Sequence, residues 1–260
     1  MTTIATRTFA SKFLREWNIL RPLQAYTPRC AASTNTAQEE KIPEEIGENL
    51  LNPLNHPDFF QVHNLFTVKD LFDSRVHYGH KEGTLNEEMK PFLFGSRLGH
   101  LIIDLDQTAE LMRDALNFMA HIAFKDGIIL FISRNPQITQ MVDKTAKECE
   151  EFSHTRHWRD GTFTNSAFQF GTTTRLPDLC IFLNTLDNVL QPHRAVRHAA
   201  KLCIPSVGIV DTNCSPNIIT YPIPGNDDSP CAIKLYLNLF KEAIMRGKSA
   251  RKMLNNSAKM

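Results

Sequence analysis

The chain has 260 residues, 42% hydrophobic and 22% charged, with a net charge of +1. That length holds one ample domain or two small ones, and its apolar runs, such as residues 127–132, fall far short of the ~20 residues that cross a bilayer. A membrane role is not expected, and binding to nucleic acid would have to be local, because the overall charge does not favour it.

Residues 1–31 carry Arg7, Lys12, Arg15, Arg21 and Arg29 against Glu16 alone, in a Thr-, Ser- and Ala-rich context. This is the make-up of a mitochondrial import sequence, with a plain basic arm as the alternative. Residues 32–58 begin with an acidic patch of Glu39, Glu40, Glu44, Glu45 and Glu48 and contain Pro43, Pro53 and Pro57. They read as a linker or extended arm. A core domain is expected over 59–245 and a basic C-terminal tail over 246–260.

Within the core, Thr67 is placed to cap a short helix over 68–74, and Leu101-Ile-Ile-Asp-Leu105 reads as a strand. Gln107 or Thr108 then opens a helix whose inner face is Leu111, Ala115, Phe118 or Met119, and Ile122, at the ~3.6-residue spacing of an amphipathic helix. Strands follow at 128–132, 154–158, 179–183 and 206–210, with helices from Pro136 to about 152, from 189 to 202 and from 232 to about 246. Apolar strands alternating with amphipathic helices predict a parallel sheet covered on both faces.

Several motifs offer chemistry. Asp104-Leu-Asp-Gln-Thr108 after a strand has the D-x-D-x-T form of a haloacid-dehalogenase-type phosphohydrolase, and Ser133 and Asp227-Asp228 loosely match its later motifs. The simpler reading makes Asp104 a strand end, Asp106 a turn and Thr108 a helix cap. The turn Ser133-Arg-Asn-Pro136 has no glycine to cradle a pyrophosphate, and no G-x-S-x-G elbow occurs. The six cysteines lack C-x-x-C spacing; Cys180 and Cys203 read as reduced, buried thiols. His77 and His80 are too few for a metal site by themselves and suit packing or RNA contact. Arg194, Arg197, His198 and Lys201 share one helical face, opposite Ala195, Ala199 and Leu202. Such a stripe suits successive phosphates or a solvated surface alike. Arg246, Lys248, Arg251 and Lys252, followed by Lys259 and with no acid among them, form a tail of the kind that lies on nucleic acid.

Residues 59–246 also resemble a known family, the S-two family of small-subunit ribosomal proteins, in its mitochondrial form. Val76-His-Tyr-Gly-His80 is similar to G-x-H-F-G-H, although Ser74 and Arg75 stand near the place of the first glycine. Met89-Lys-Pro-Phe-Leu-Phe-Gly95, with Lys90, Arg97 and the run Gly99-His-Leu-Ile-Ile-Asp-Leu105, resembles M-K-P-Y-I-F-G…G-x-H-I-I-D-L. Leu176-Pro-Asp178, Ile204-Pro205, Asp211-Thr-Asn213, Pro216 and Tyr221-Pro-Ile-Pro-Gly-Asn-Asp-Asp228 complete the collinear match. The loop His157-Trp-Arg-Asp-Gly-Thr-Phe-Thr-Asn165 departs from R-W-L-G-G-x-L-T-N, with Arg159 able to restore the charge lost at His157; it brings Trp158 and Arg159 among the RNA candidates. Bacterial members insert a helical hairpin before L-P-D, whereas only residues 166–175 bridge that gap here.

The resemblance implies a three-layer α/β sandwich with a flavodoxin-like, five-stranded parallel sheet lacking the hairpin. It implies a structural, non-enzymatic seat between head and body of the small mitochondrial ribosomal subunit, in the matrix. The partners would be small-subunit rRNA and neighbouring ribosomal proteins, with no cofactor, metal or small-molecule substrate. The phosphohydrolase stands as the alternative.

Overall fold

The computed structural model describes residues 53–172, 174–188 and 191–257. The expected import sequence and residues 32–52 of the expected arm lie outside them. The end of that arm belongs to the fold: Pro53 is buried, and the Asn117 amide donates to the Pro57 carbonyl at 3.2 Å. The packed chain therefore starts by Pro53 rather than at Phe59.

Thr67 caps helix α1 (Val68–Asp73) in a reciprocal box, accepting from the Asp70 N–H while the Asp70 carboxylate accepts from the Thr67 N–H. Strands β1 (Tyr78–Lys81), β2 (Leu93–Arg97) and β3 (His100–Ile103) then form a small antiparallel sheet with β3 in the middle. This corrects the expectation that residues 101–105 start the parallel sheet. Leu98 and Gly99, with φ of 54° and 76°, make a two-residue hairpin turn that pairs β3 with β2 antiparallel. A parallel neighbour would need a long crossover instead. Helix α2 (Leu105–Phe124) follows at once, capped by Asp104, whose carboxylate accepts from the Asp106 N–H at 3.1 Å. Thr108 is buried one turn in, its hydroxyl donating to the carbonyls of Asp104 and Pro224 at 2.9 Å each.

The parallel sheet is built from β4 (Ile129–Ile132), helix α3 (Thr139–Glu148), β5 (Phe152–His154), short helix α4 (Ser166–Phe170) and β6 (Leu179–Phe182). A two-strand ladder of β7 (Leu186–Asn188) and β8 (Gln191–Pro192) leads into helix α5 (Arg194–Lys201). Then come β9 (Ser206–Val210), β10 (Tyr221–Pro224) and the long helix α6 (Pro230–Ser257). Across the sheet the order is β10-β9-β6-β4-β5. With its strands numbered along the chain this is 2-1-3-4-5, the flavodoxin-like order. The fifth parallel strand is thus β10, and the third ends at His154 instead of reaching Trp158. Every residue of β6 and β9 is buried, as a sheet covered on both faces requires.

One face of the sheet packs Ile129 and Phe131 against α2, α3 and α6. The other packs Ile132 and Phe182 against Ala195 and Ala199 of α5 and against Trp158 and Phe163. Each such large apolar side chain contributes about 1.5–3 kcal/mol by leaving water. Helix α2 is rotated from the face expected for it: Ala115 and Met119 point inward as read, but Met112, Leu116, Ala120 and Ala123 join them while Leu111 and Ile122 sit at the margin.

The cause lies in α6, which crosses α2 closely. A Cβ at Gly247 would come within 2.4 Å of the Ala120 carbonyl oxygen, so only glycine fits there. Gly247 therefore does not end the helix after Arg246, and the residues read as a basic tail are helical through Ser257. Cys203, expected to be buried, is exposed at the left-handed end of α5 with φ of 54°.

Candidate RNA interface and a buried acidic cluster

The basic residues of α5 and of the 157–165 loop come together on one surface. Trp158 is 1% exposed and its indole N–H donates to His198 Nδ1 at 3.0 Å. That bond leaves His198 Nε2, which faces Asp160 Oδ1 at 3.7 Å, to carry the proton. Arg194 donates to the other Asp160 oxygen at 2.7 Å. The loop that carries Arg159 is thereby clamped onto α5, the helix of Arg197 and Lys201. All three are exposed, and no side-chain partner is seen for them among the described residues.

The remaining RNA candidates divide by environment. Arg97 and Lys252 are exposed and without an acidic partner among the described residues, while Lys90 is exposed beside Glu87 at 3.1 Å. His77 is 8% exposed and stacked on Phe72 at 4.5 Å, and burial holds its pKa below the usual histidine range. His77 and Trp158 are therefore positioning groups inside the protein, not surfaces for a base. Arg246 donates to the carbonyls of Phe60 and Gln61. Lys248 pairs with the buried Glu151 at 2.6 Å, and Arg251 pairs with Asp126. These three hold α6 to the core, because the helix continues past Gly247 and carries them against it.

His80 lies elsewhere, at the strand ends. Its Nδ1 is 3.1 Å from Asp211 and its Nε2 is 3.3 Å from Asp228. The hydrogen bond to Asp211, opposed by partial burial and aided by the nearby carboxylates, raises its pKa to about 9. Its backbone N–H donates to the Thr212 hydroxyl at 3.0 Å, and a Cβ on Gly79 would strike the Thr212 methyl at 2.5 Å. Next to it Asp227 is buried, which with the charges of Asp211 and Asp228 raises its pKa to about 8. Asn184 donates to Asp227 and accepts from Ser133 at 3.0 Å, closing the crevice between β4 and β6.

Among the described residues, His80, Asp211 and Asp228 form the one group that could hold a metal ion. The imidazole already spans both carboxylates, so a cation would compete with a proton bound far above neutral pH. The phosphohydrolase motif lacks its geometry. Asp104 follows an antiparallel strand and caps α2, with Gln107 donating to it at 3.0 Å, and Asp106 is exposed.

A family model described as Ribosomal protein S2 matches residues 71–169 and 167–247. The chain belongs to the ribosomal protein S2 family. The Small ribosomal subunit protein uS2m of Bos taurus is 51% identical over 224 residues, covering 86% of this chain and 76% of its own. The Small ribosomal subunit protein uS2 of Solidesulfovibrio magneticus is 34% identical over 225 residues, 72% of this chain and 87% of its own. That of Rickettsia bellii is 32% identical over 224 residues, 69% and 76% of the two chains.

These lengths locate a difference. Against the Solidesulfovibrio protein, 72% of 260 residues is about 187, spread over 225 aligned positions, so about 38 positions have no counterpart here. Against the bovine protein, 86% of 260 is about 224, equal to the positions aligned. The two stretches matched by the family model meet at 167–169, inside α4, which places the shortening there. About 38 positions of the bacterial relative therefore fall where this chain has α4 and a loop before Leu176.

The reading from sequence missed the cluster of His80, Asp211, Asp227 and Asp228 and the buried pair of His193 and Asp187, 3.6 Å apart. Its signal was present: polar D-T-N and N-D-D runs directly after apolar strands, where a doubly wound sheet gathers loop residues at one edge.

Proposed function

We propose that this chain is a structural constituent of the small subunit of the mitochondrial ribosome, in support of translation, and that it catalyses no reaction. The observation that carries this reading is the match to ribosomal protein S2 over residues 71–247 together with 51% identity to the bovine small-subunit protein. Its seat is the head–body junction, where it holds small-subunit rRNA and neighbouring proteins as a rigid wedge. Arg159, Arg197 and Lys201 face phosphates from the loop-and-α5 surface, with Arg194 holding the loop and contributing at its edge. Arg97 and Lys90 serve the β2–β3 hairpin side, His80 fixes β1, the strand paired with β3, to the core, and Lys252 reaches out from α6. Guanidinium groups on a helix packed against a sheet keep their spacing, which suits consecutive phosphates.

No helix among the described residues is long and apolar enough to cross a membrane, and no small-molecule substrate is assigned. Gradient sedimentation of a tagged chain from mitochondria tests the reading. The chain is expected to travel with the small subunit; a chain found only in the unassembled fractions overturns it.

A further inference from the structure

The second face of the parallel sheet is unevenly covered. Helix α5 protects the β6–β9 half, but over β4 and β5 the cover is the 158–163 loop and the five-residue α4. A cleft of about 380 Å³ opens there, lined by Leu130, Phe152, Phe163, Phe170 and Leu176, with Arg175 at its mouth. Of its lining, Phe152 is 59% and Phe170 56% exposed. Two such phenylalanines at the mouth of one apolar cleft are unusual for a surface that stays in water. Strand β5 is also the edge of the sheet, paired only with β4, and an edge strand can accept another.

The place coincides with the shortening described above, since Phe168 and Phe170 stand on α4 where the two family-matched stretches meet. The bovine relative shows no such deficit of positions. Bacterial relatives thus carry their own chain at this point, whereas here the apolar face is left open. Its rim carries exposed Arg156 and His157 next to Trp158, and Arg175, which pairs with Asp178 at 2.8 Å.

We propose that Phe152 and Phe170, with the cleft beside β5, dock an extended segment of another small-subunit protein. That segment carries bulky apolar side chains at alternate positions, one set entering the cleft, and carboxylates that meet the basic rim. Addition along β5 supplies main-chain hydrogen bonds and the cleft supplies selectivity. The apolar lining favours protein over RNA, because a phosphate backbone finds nothing to pair with inside it. This inference rests on the small-subunit reading.

The test places photoreactive benzoylphenylalanine at 170 and, separately, at 152 of the full tagged chain in mitochondria. Small subunits are then isolated on gradients and irradiated. Both positions are expected to crosslink to one stretch of a single small-subunit protein, rich in alternating apolar residues and carboxylates. In unirradiated subunits carrying Phe152→Ser with Phe170→Ser, that protein should fall roughly tenfold or more in stoichiometry while this chain stays at its normal level. Crosslinks to rRNA, crosslinks to residues 32–52 of the same chain, or no crosslink from a chain seated in the subunit overturn the docking surface alone. A chain absent from the subunit overturns the ribosomal reading and the docking surface with it.

Discussion

His80 sits between two carboxylates in a half-buried cleft, and its charge ties β1 to the loops that follow β9 and β10. In the unfolded chain a histidine titrates near 6.5; in the fold His80 does so at about 9, chiefly through Asp211. Its stabilisation is therefore complete below about pH 6.5 and is lost as the pH rises through about 9. Asp227, raised to about 8 mainly by burial, acts in the same direction: the fold favours its neutral form, and that advantage, full below the ordinary carboxylate range, fades as the pH climbs through 8. Replacing His80→Gln should cost about 2 kcal/mol near pH 6, allowing for the imidazole's partial exposure, and the difference from wild type should shrink by pH 9.5. Urea melts of both proteins across that range measure it, and a difference independent of pH would show that the imidazolium is not what holds the loops. Asp106 is the opposite kind of residue, exposed at the first turn of α2. Asp106→Asn should leave folding and subunit incorporation unchanged, within about ±0.5 kcal/mol. A magnesium-dependent phosphatase activity abolished by that change would instead restore the hydrolase alternative.

At the scale of elements, α5 and α6 carry basic residues to different ends. On α5, Arg197 and Lys201 project from a helix that packs through Ala195 and Ala199, so reversing both to Glu leaves the packing untouched. Incorporation into the small subunit should fall roughly tenfold or more while circular dichroism stays that of the wild type; wild-type incorporation would make this stripe a solvated face. Arg194 is a poorer choice for that test, because Arg194→Glu would also oppose Asp160 and loosen the loop. On α6, Lys248 pairs with the buried Glu151, whose carboxylate also accepts the Ile129 N–H at 3.0 Å. Lys248→Ala should lower stability by about 1–3 kcal/mol through the uncompensated acid, measurable as a shifted denaturation midpoint, whereas a loose tail would show no shift. The contrast shows where sequence patterns speak. Alternating apolar strands and helices made the doubly wound sheet legible, and the Thr67 cap and the α5 stripe were legible because their partners lie within a turn or two. The last helix was expected to end at about 246, because what Gly247 is for, close approach to the Ala120 carbonyl of another helix, lies 127 positions away in the chain. Trp158 stood among the RNA candidates, and His77 was left between packing and RNA contact, for the same cause: their partners His198 and Phe72 are set by packing, which spacing along the chain does not encode. Strand β10 escaped because Pro222 and Pro224 fit a strand only at an edge, and edge position is a property of the assembled sheet.

For the whole molecule the question is how a near-neutral chain sits on RNA. Its charge is divided along the sequence: residues 1–31 contribute +4, residues 32–48 contribute −4, and the rest +1. If the basic segment is an import sequence, cleavage removes it, and the assembled protein carries a net charge of about −3. On the proposed function, attraction to rRNA would then come not from the molecule's overall field but from a local basic surface, the one proposed for Arg159, Arg197 and Lys201 with Arg97 on the hairpin. This is consistent with a fold in which acids are spent internally: Asp126, Asp160, Asp178, Asp187, Asp211 and Glu151 all pair with basic groups of the chain itself. The expected outcome is cleavage within roughly the first 30 to 40 residues, where the acid-poor composition ends. N-terminal sequencing and intact mass of the chain recovered from small subunits measure it directly. A start near the acidic patch supports a seat held by local basic surface. An intact Met1 in the assembled protein would contradict the import reading and assign residues 1–31 to the ribosome, where five basic side chains would be a stronger RNA contact than any on the core.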